Sequence, residues 1–273
     1  MEKKIIFLDI DGTLMDFHGE LSDSARQALL QARADGHRLV LCTGRLKAQI
    51  YPELLEMGFD GIIASAGAYV ECDGREIYRH VADREPLNRL VDFFEDTKTT
   101  YMLQTKDGVV MTDRSQKAMV RHFLDMGMTE EKMEKVMVAD IFLKKDLHDC
   151  ADVEKMAYYD APVSMEGVQA ALGDYFKVEG ASYKSGEGSN GEITCAGENK
   201  ATGIRRYVAY IGGNMSDTVG VGDGPNDGEM LAETAVSIAM GNADSGLKAV
   251  ADFVTDDVDK DGLWKAFQWL KKI

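Results

Sequence analysis

The chain has 273 residues, 45% apolar and 29% charged, enough for a substantial core arranged as two domains or one large α/β unit. Lys and Arg number 31 against 47 Asp and Glu, a net charge of −16 that disfavours nucleic acid and anionic membrane as partners. A small anionic substrate stays admissible, because a local cation reverses the sign inside a pocket.

In chain order, Ile5–Leu8 is a short apolar run ending at Asp9, which predicts a buried strand with an acidic tip. Too few apolar residues precede Asp9 for a signal-peptide core, and no run approaches the roughly 18 residues of a membrane helix. Ser22 caps a predicted helix with Ala25, Ala28, Leu29 and Ala32 on one face, stopping at Gly36. Leu39–Leu41 is a second buried strand. Thr43-Gly44-Arg45 and a helix to about Gly58 follow, then a third strand from Ile62. This alternation predicts a parallel sheet with crossover helices.

The texture changes near residue 84. Pro86 opens a helix with Leu87, Leu90, Val91 and Phe94 at helical spacing, and Tyr101–Gln104 and Val109–Thr112 bracket a hairpin turn. Ser185–Gly191, rich in Gly and polar residues, reads as a linker. The first pattern then resumes: a helix from Ala201, a strand over Thr218–Val221, the turn Gly222-Asp223-Gly224-Pro225-Asn226-Asp227, a short helix, a strand over Ser237–Ala239, and a last helix with Trp264 and Trp269. The expected architecture is α/β: a Rossmann-like three-layer core with a parallel sheet, from residues 1–83 and 187–273, and an α/β domain inserted over 84–186.

Carboxylates concentrate after two predicted strands, at Asp9 and Asp11 and at Asp223 and Asp227. In an open parallel sheet those strand ends form the ligand crevice. Four carboxylates facing one crevice need a cation among them, and hard oxygen donors without His or Cys suit Mg2+ rather than zinc. Thr43 and Gly44 offer a hydroxyl and backbone N–H groups for phosphate oxygens, and Lys200 precedes the helix leading to the second acidic turn. The bland reading of each motif alone is a solvated turn or a helix cap. Their joint occurrence after buried strands favours a site.

These motifs resemble the haloacid dehalogenase superfamily of phosphatases, in its Cof-like group with a large α/β cap. The matching segments are Asp9-Ile10-Asp11-Gly12-Thr13-Leu14, Cys42-Thr43-Gly44-Arg45, Glu198-Asn199-Lys200-Ala201, and Gly222–Asp227 followed by Ser237–Ala243. The resemblance implies a Mg2+-dependent phosphatase of small phosphomonoesters, sugar phosphates first among them, working through an aspartyl-phosphate. It implies Asp9 as nucleophile and Asp11 as general acid and base. Mg2+ would be held by Asp9, Asp223 and the backbone carbonyl of Asp11. Phosphoryl oxygens would be held by Lys200, Thr43, Gly44, Asn226 and the N–H of Ile10, with Asp227 in a supporting role. A phosphomutase uses the same intermediate. A non-catalytic metabolite sensor should lack one of these groups, and none is missing. Ser65-Ala66-Gly67-Ala68 departs from the group's usual Ser-Asn-Gly-Ala.

The remaining expectations are plainer. Cys42, Cys72, Cys150 and Cys195 form no C-x-x-C pair, so a disulfide framework is not expected and a reducing cytoplasm is. The partner is a small phosphorylated metabolite, and the protein a monomer or small homo-oligomer. His37 is expected at the surface, Cys42 as a buried strand residue, the middle-domain methionines as core filling, and Glu130-Glu131-Lys132 as a solvated helical face.

Overall fold

The computed structural model of the chain describes residues 3–125, 127–129, 133, 138–180 and 189–272. It divides into two units, Met1–Gly44 with Pro52–Tyr78 and Asn199–Ile273, and Arg45–Tyr51 with Arg79–Glu198. Strands β1 (Ile5–Leu8), β2 (Arg38–Cys42), β3 (Gly61–Ala64), β4 (Tyr69–Cys72) and β5 (Arg75–Arg79) come first. Strands β6 (Thr100–Thr105), β7 (Gly108–Met111), β8 (Ile141–Leu143), β9 (Val153–Ala161), β10 (Phe176–Gly180) and β11 (Ser189–Cys195) follow. Strands β12 (Thr218–Gly222), β13 (Val236–Ala239) and β14 (Phe253–Val254) close the series.

Among the described residues the first unit is built on a sheet of order β14-β13-β12-β1-β2-β3-β4-β5. Pairing is parallel from β14 through β3 and antiparallel between β3 and β4. The central strands are apolar on both faces, as expected where helices cover both. Phe7, Val40 and Ile63 pack with Ile204 and Tyr207 of helix Lys200–Tyr210. Ile6 meets Ala28 and Phe267, from helices Asp23–Ala34 and Gly262–Leu270, around one small cavity. The three layers are thus helix, sheet, helix. From β1 the chain steps outward to β2 and β3, and from β12 in the other direction to β13 and β14. The crevice between the ends of β1 and β12 is the topological switch point, where ligands bind in such sheets.

Helix Asp23–Ala34 has the predicted cap and buried face: the Ser22 hydroxyl accepts the Ala25 N–H at 3.1 Å, and Ala25, Ala28, Leu29 and Ala32 are buried. The helix expected up to Gly58 is shorter, running only over Pro52–Met57 after a 3-10 turn at Lys47–Gln49. Proline disfavours a helical residue before it, so Pro52 starts the helix instead of continuing one. The β4–β5 hairpin was not anticipated. Its turn is Asp73-Gly74, both at positive φ, and this Asp-Gly pair was the available signal. His37 is a correction: only 6% exposed, it accepts the Lys4 N–H at Nδ1, 3.0 Å away.

The second unit carries a sheet of order β10-β11-β9-β6-β7-β8 among the described residues. Helix Arg84–Asp96 buries Leu87, Leu90, Val91 and Phe94 as predicted, and the β6–β7 hairpin forms around Lys106 and Asp107. Ser185–Gly188 of the expected linker, and Glu130-Glu131-Lys132, lie outside the described residues. Ser189, Asn190 and Gly191 instead begin β11, which pairs with β10 and β9. This sheet therefore extends past residue 186, because β11 completes the edge on which β10 pairs.

Two local features give measurable expectations. Ala66 sits at φ 52°, ψ 38°, a left-handed conformation that costs a residue with a Cβ. Ala66→Gly is expected to raise stability by about 0.5–1 kcal/mol, read as a shifted urea midpoint. His148 is held between Asp92, at 2.9 Å from Nε2, and Asp146, at 2.6 Å from Nδ1, and these hydrogen bonds raise its pKa above the usual imidazole value. A raised folded pKa stabilises below the unfolded value, and the gain is lost as pH rises through the folded one. His148→Gln is therefore expected to cost about 0.5 kcal/mol near pH 5 and almost nothing near pH 9 in paired denaturation curves.

Candidate active site

Asp9 leaves the end of β1 with its N–H donated to the Val221 carbonyl at 3.0 Å, which locks it beside β12. The loop beyond it is wound tightly, since the Ile10 carbonyl accepts the N–H groups of Leu14 and Met15 at 2.9 and 2.8 Å. Gly12 has φ +80°, and a Cβ there would overlap the Asp223 carboxylate, so the turn requires glycine. Asp9 is buried while Asp11, two residues on, is exposed: one carboxylate points into the crevice floor and the other stands at its rim. The Ile10 N–H has no hydrogen-bond partner among the described residues.

Lys200 is the first residue of helix Lys200–Tyr210. Asn199 caps this helix, its side chain accepting the Thr202 N–H at 2.8 Å while its own N–H donates to the Thr202 hydroxyl. Gly67 allows the β3 loop to touch the Asn199 backbone, where a Cβ would clash, and this seats the helix start over the sheet. The Lys200 ammonium is 2% exposed and donates to Asp9 Oδ1 at 2.6 Å and to Asp227 Oδ1. Asp227, fully buried, accepts the Asp223 and Gly224 N–H groups at Oδ2, each at 2.9 Å. Asp223 takes the Thr13 hydroxyl at 3.4 Å and the Asn242 amide at 3.0 Å.

Asp9, Asp223 and Asp227 each place a carboxylate oxygen within 4.8 Å of the others. Burial, then the Asp227 charge, raises the Asp9 pKa well above the carboxylate range against the pull of Lys200. The same two causes push Asp223 up to about 7. Burial alone would lower the Lys200 pKa, but Asp227 and Asp9 override it and keep the ammonium charged. When all three carboxylates are ionised they outnumber the one ammonium by two charges, and every donor is a hard oxygen. The set fits a divalent cation of the Mg2+ type. Both Asp227 oxygens are already committed, to Lys200 and to the two N–H groups, so Asp9 and Asp223 are the better ligands and Asp227 orients them.

Thr43 follows β2 at 1% exposure, its N–H bonded to the Ile63 carbonyl at 2.8 Å, and Leu8 pairs with Leu41, so Thr43-Gly44 and Asp9 leave neighbouring strands. The Asn226 amide has no hydrogen-bond partner among the described residues. Ile10, Thr43, Gly44, Lys200, Asp223, Asn226 and Asp227 thus gather with Asp9 and Asp11 beyond the carboxyl ends of the central strands β1, β2 and β12. Cys42 is fully buried and burial pushes its thiol pKa far up, so it offers no nucleophile. Arg45 stacks on Tyr51 at 4.4 Å and donates to its hydroxyl at 2.8 Å. Asn242 was not singled out. Its Nδ2 bridges Asp223 and the Gly12 carbonyl, and its Oδ1 accepts the Val258 N–H, so it ties the two acidic loops together. Its place in the Ser237–Ala243 segment, which the family resemblance already included, was the available signal.

A family model described as haloacid dehalogenase-like hydrolase matches residues 6–267. The chain is 28% identical over 268 residues to YkrA of Bacillus subtilis (strain 168), covering 96% of each. It is 24% identical to the pyridoxal phosphate phosphatase YbhA of Escherichia coli (strain K12), covering 96% of this chain and 97% of that one. Its fold matches the HAD subclass IIB sugar phosphatase BT4131 with a TM-score of 0.79 and 25% identity, over 99% of this chain and 100% of that one.

Proposed function

This chain belongs to the haloacid dehalogenase-like hydrolases, and from that premise we propose a Mg2+-dependent phosphatase that cleaves small sugar phosphates through an aspartyl-phosphate at Asp9. The coarser activity, phosphoric monoester hydrolysis of small phosphorylated substrates, is common to its named relatives. One arrangement carries the metal-dependent, aspartyl-phosphate reading: a buried carboxylate, Asp9, bonded to a buried ammonium, Lys200, with the partly buried Asp223 beside it; the likeness to a sugar phosphatase supports the choice of substrate.

The Asp9 carboxylate attacks phosphorus, forming an Oδ–P bond as the ester P–O bond breaks. Asp11 at the rim gives its proton to the departing alkoxide oxygen. As carboxylate it then takes a proton from water, whose oxygen attacks phosphorus and releases Asp9 with inorganic phosphate. Lys200, Asn226, Thr43, Gly44 and the Ile10 N–H hold the phosphoryl oxygens, in part through groups with no competing internal bond. When bound, Mg2+ held by Asp9, Asp223 and the Asp11 carbonyl supplies the positive charge that offsets repulsion between carboxylate and phosphate. Asp227 keeps Lys200 charged and in place. The second unit is the cap that selects the alcohol part of the substrate. The four described cysteines, all free and buried, support a reducing, cytoplasmic setting, and no helix among the described residues is long and apolar enough to cross a membrane.

The test is phosphate release from sugar phosphates, nucleotides, flavin mononucleotide and pyridoxal phosphate, in Mg2+ and in EDTA. Release that requires Mg2+ and is greatest for sugar phosphates is expected. Release undiminished in EDTA, or none from any ester, would overturn the proposal.

A further inference from the structure

Among the described residues β8 is an outer strand of the second unit's sheet, paired with β7 alone. The Val109 N–H donates to the Asp140 carbonyl at 2.9 Å, and the Lys144 N–H to the Met111 carbonyl at 3.0 Å. Even-numbered residues thus turn their backbone groups to β7. The N–H and C=O groups of Ile141 and Leu143 point away from the sheet, with no hydrogen-bond partner among the described residues. The opposite edge is covered: Gln169 accepts the Val178 N–H of β10 at 2.8 Å and donates to the Phe176 carbonyl at 2.8 Å. On β8 nothing comparable covers the edge, and Phe142 and Leu143 are 44% and 49% exposed.

An open edge carrying apolar side chains is a template for a further strand. The sequence of β8 is complementary to itself. Asp140, Phe142 and Lys144 alternate along the chain and so share one face, on which a Cβ at Gly108 of β7 would press against the Phe142 ring. Antiparallel pairing with a second copy, about a two-fold axis through Phe142, sets Asp140 opposite the other copy's Lys144 twice and Phe142 opposite its own counterpart. In that register Ile141 and Leu143 exchange N–H···O bonds across the axis, through the groups that face outward. Moving the axis to Ile141 or Leu143 sets a charge against Phe142 instead. Both charges are exposed and available: Asp140 has no ion pair among the described residues, and the Lys144 ammonium meets only the Cys150 sulfur, 3.7 Å away.

We propose that β8 is a homodimerisation edge, on which a second copy of this chain adds its own β8 antiparallel and continues the sheet across two molecules. Few residues take part, so the dimer forms on concentration and dissociates on dilution. The test is sedimentation velocity from about 1 to about 500 μM on wild type, Asp140→Lys, Lys144→Asp and the double exchange. Each single change turns two attractive contacts into two repulsive ones, and the association constant is expected to fall about 4- to 30-fold. The double exchange restores opposite charges and should bring it back to within about 3-fold of wild type. Exposed substitutions cost little stability, so all four proteins should melt within about 2 °C of one another. Wild-type protein that stays monomeric throughout would overturn the inference and leave the edge to a partner of another sequence. A dimer that neither single change weakens, or that the double exchange does not restore, would also overturn it, by placing the contact elsewhere.

Discussion

Asp9→Asn is expected to abolish turnover, lowering kcat by at least about 10^4-fold, without weakening the fold. Loss of a nucleophile removes the covalent step itself, and a carboxamide cannot form the acyl-phosphate. Most mutations in a packed site destabilise, but this one removes a negative charge from a buried position already facing Asp227 and Asp223. In EDTA the variant should melt at or above the wild-type temperature. Phosphate release and calorimetry on the same samples check both halves. A variant keeping more than about 1% of wild-type kcat would place the nucleophile elsewhere, by the same free-energy reading of mutant rates.

Lys200→Met should have the opposite stability signature. The ammonium joins Asp9 and Asp227, and all three side chains are almost fully buried. Removing one partner of a buried ion pair leaves uncompensated charge and costs about 3–5 kcal/mol, far more than the pair is worth against an apolar replacement. For a domain of this size that is a fall in melting temperature of roughly 10 °C, alongside loss of activity. Adding Asp227→Asn should recover part of the stability but none of the turnover, because the second change removes the stranded carboxylate and restores no group that holds phosphate. A single variant as stable as wild type would mean that the ion triad is not what orders these loops.

The two variants share a physical basis with the site's chemistry. Lys200 pulls the Asp9 pKa down, against burial and the neighbouring carboxylates that together raise it. A group poised in this way gains most from a phosphate-bound cation and loses most when its ammonium is removed.

Much of the site was legible because its residues are punctuated locally. Asp9, Thr43 and Asp223 each follow a short apolar strand, and Gly12 and Gly222–Asp227 mark turns that no other residue types fill easily. Helix Asp23–Ala34 announced itself through Ser22 and four small apolar residues on one face. The β4–β5 hairpin and the start of β11 were less legible. Asp73-Gly74 is a two-residue signal inside a polar stretch, and Ser189-Asn190-Gly191 has loop composition yet pairs with β9 and β10. His37 looked like a surface residue because a helix-ending glycine precedes it, and only the Lys4 backbone, 33 residues earlier, makes it a buried acceptor.

By itself the sequence determined the α/β alternation, the core strands and the identity of the acidic and basic groups, because helix and strand periodicity and turn chemistry are local properties. Only the tertiary structure decided how those groups are divided. It committed both Asp227 oxygens while leaving Asp9 and Asp223 for a cation, assigned Asn242 to tie the acidic loops, and left β8 open at one sheet edge while Gln169 covers β10 at the other. Register and burial depend on which distant segments pair, and a strand becomes an edge only when every other segment has found its place.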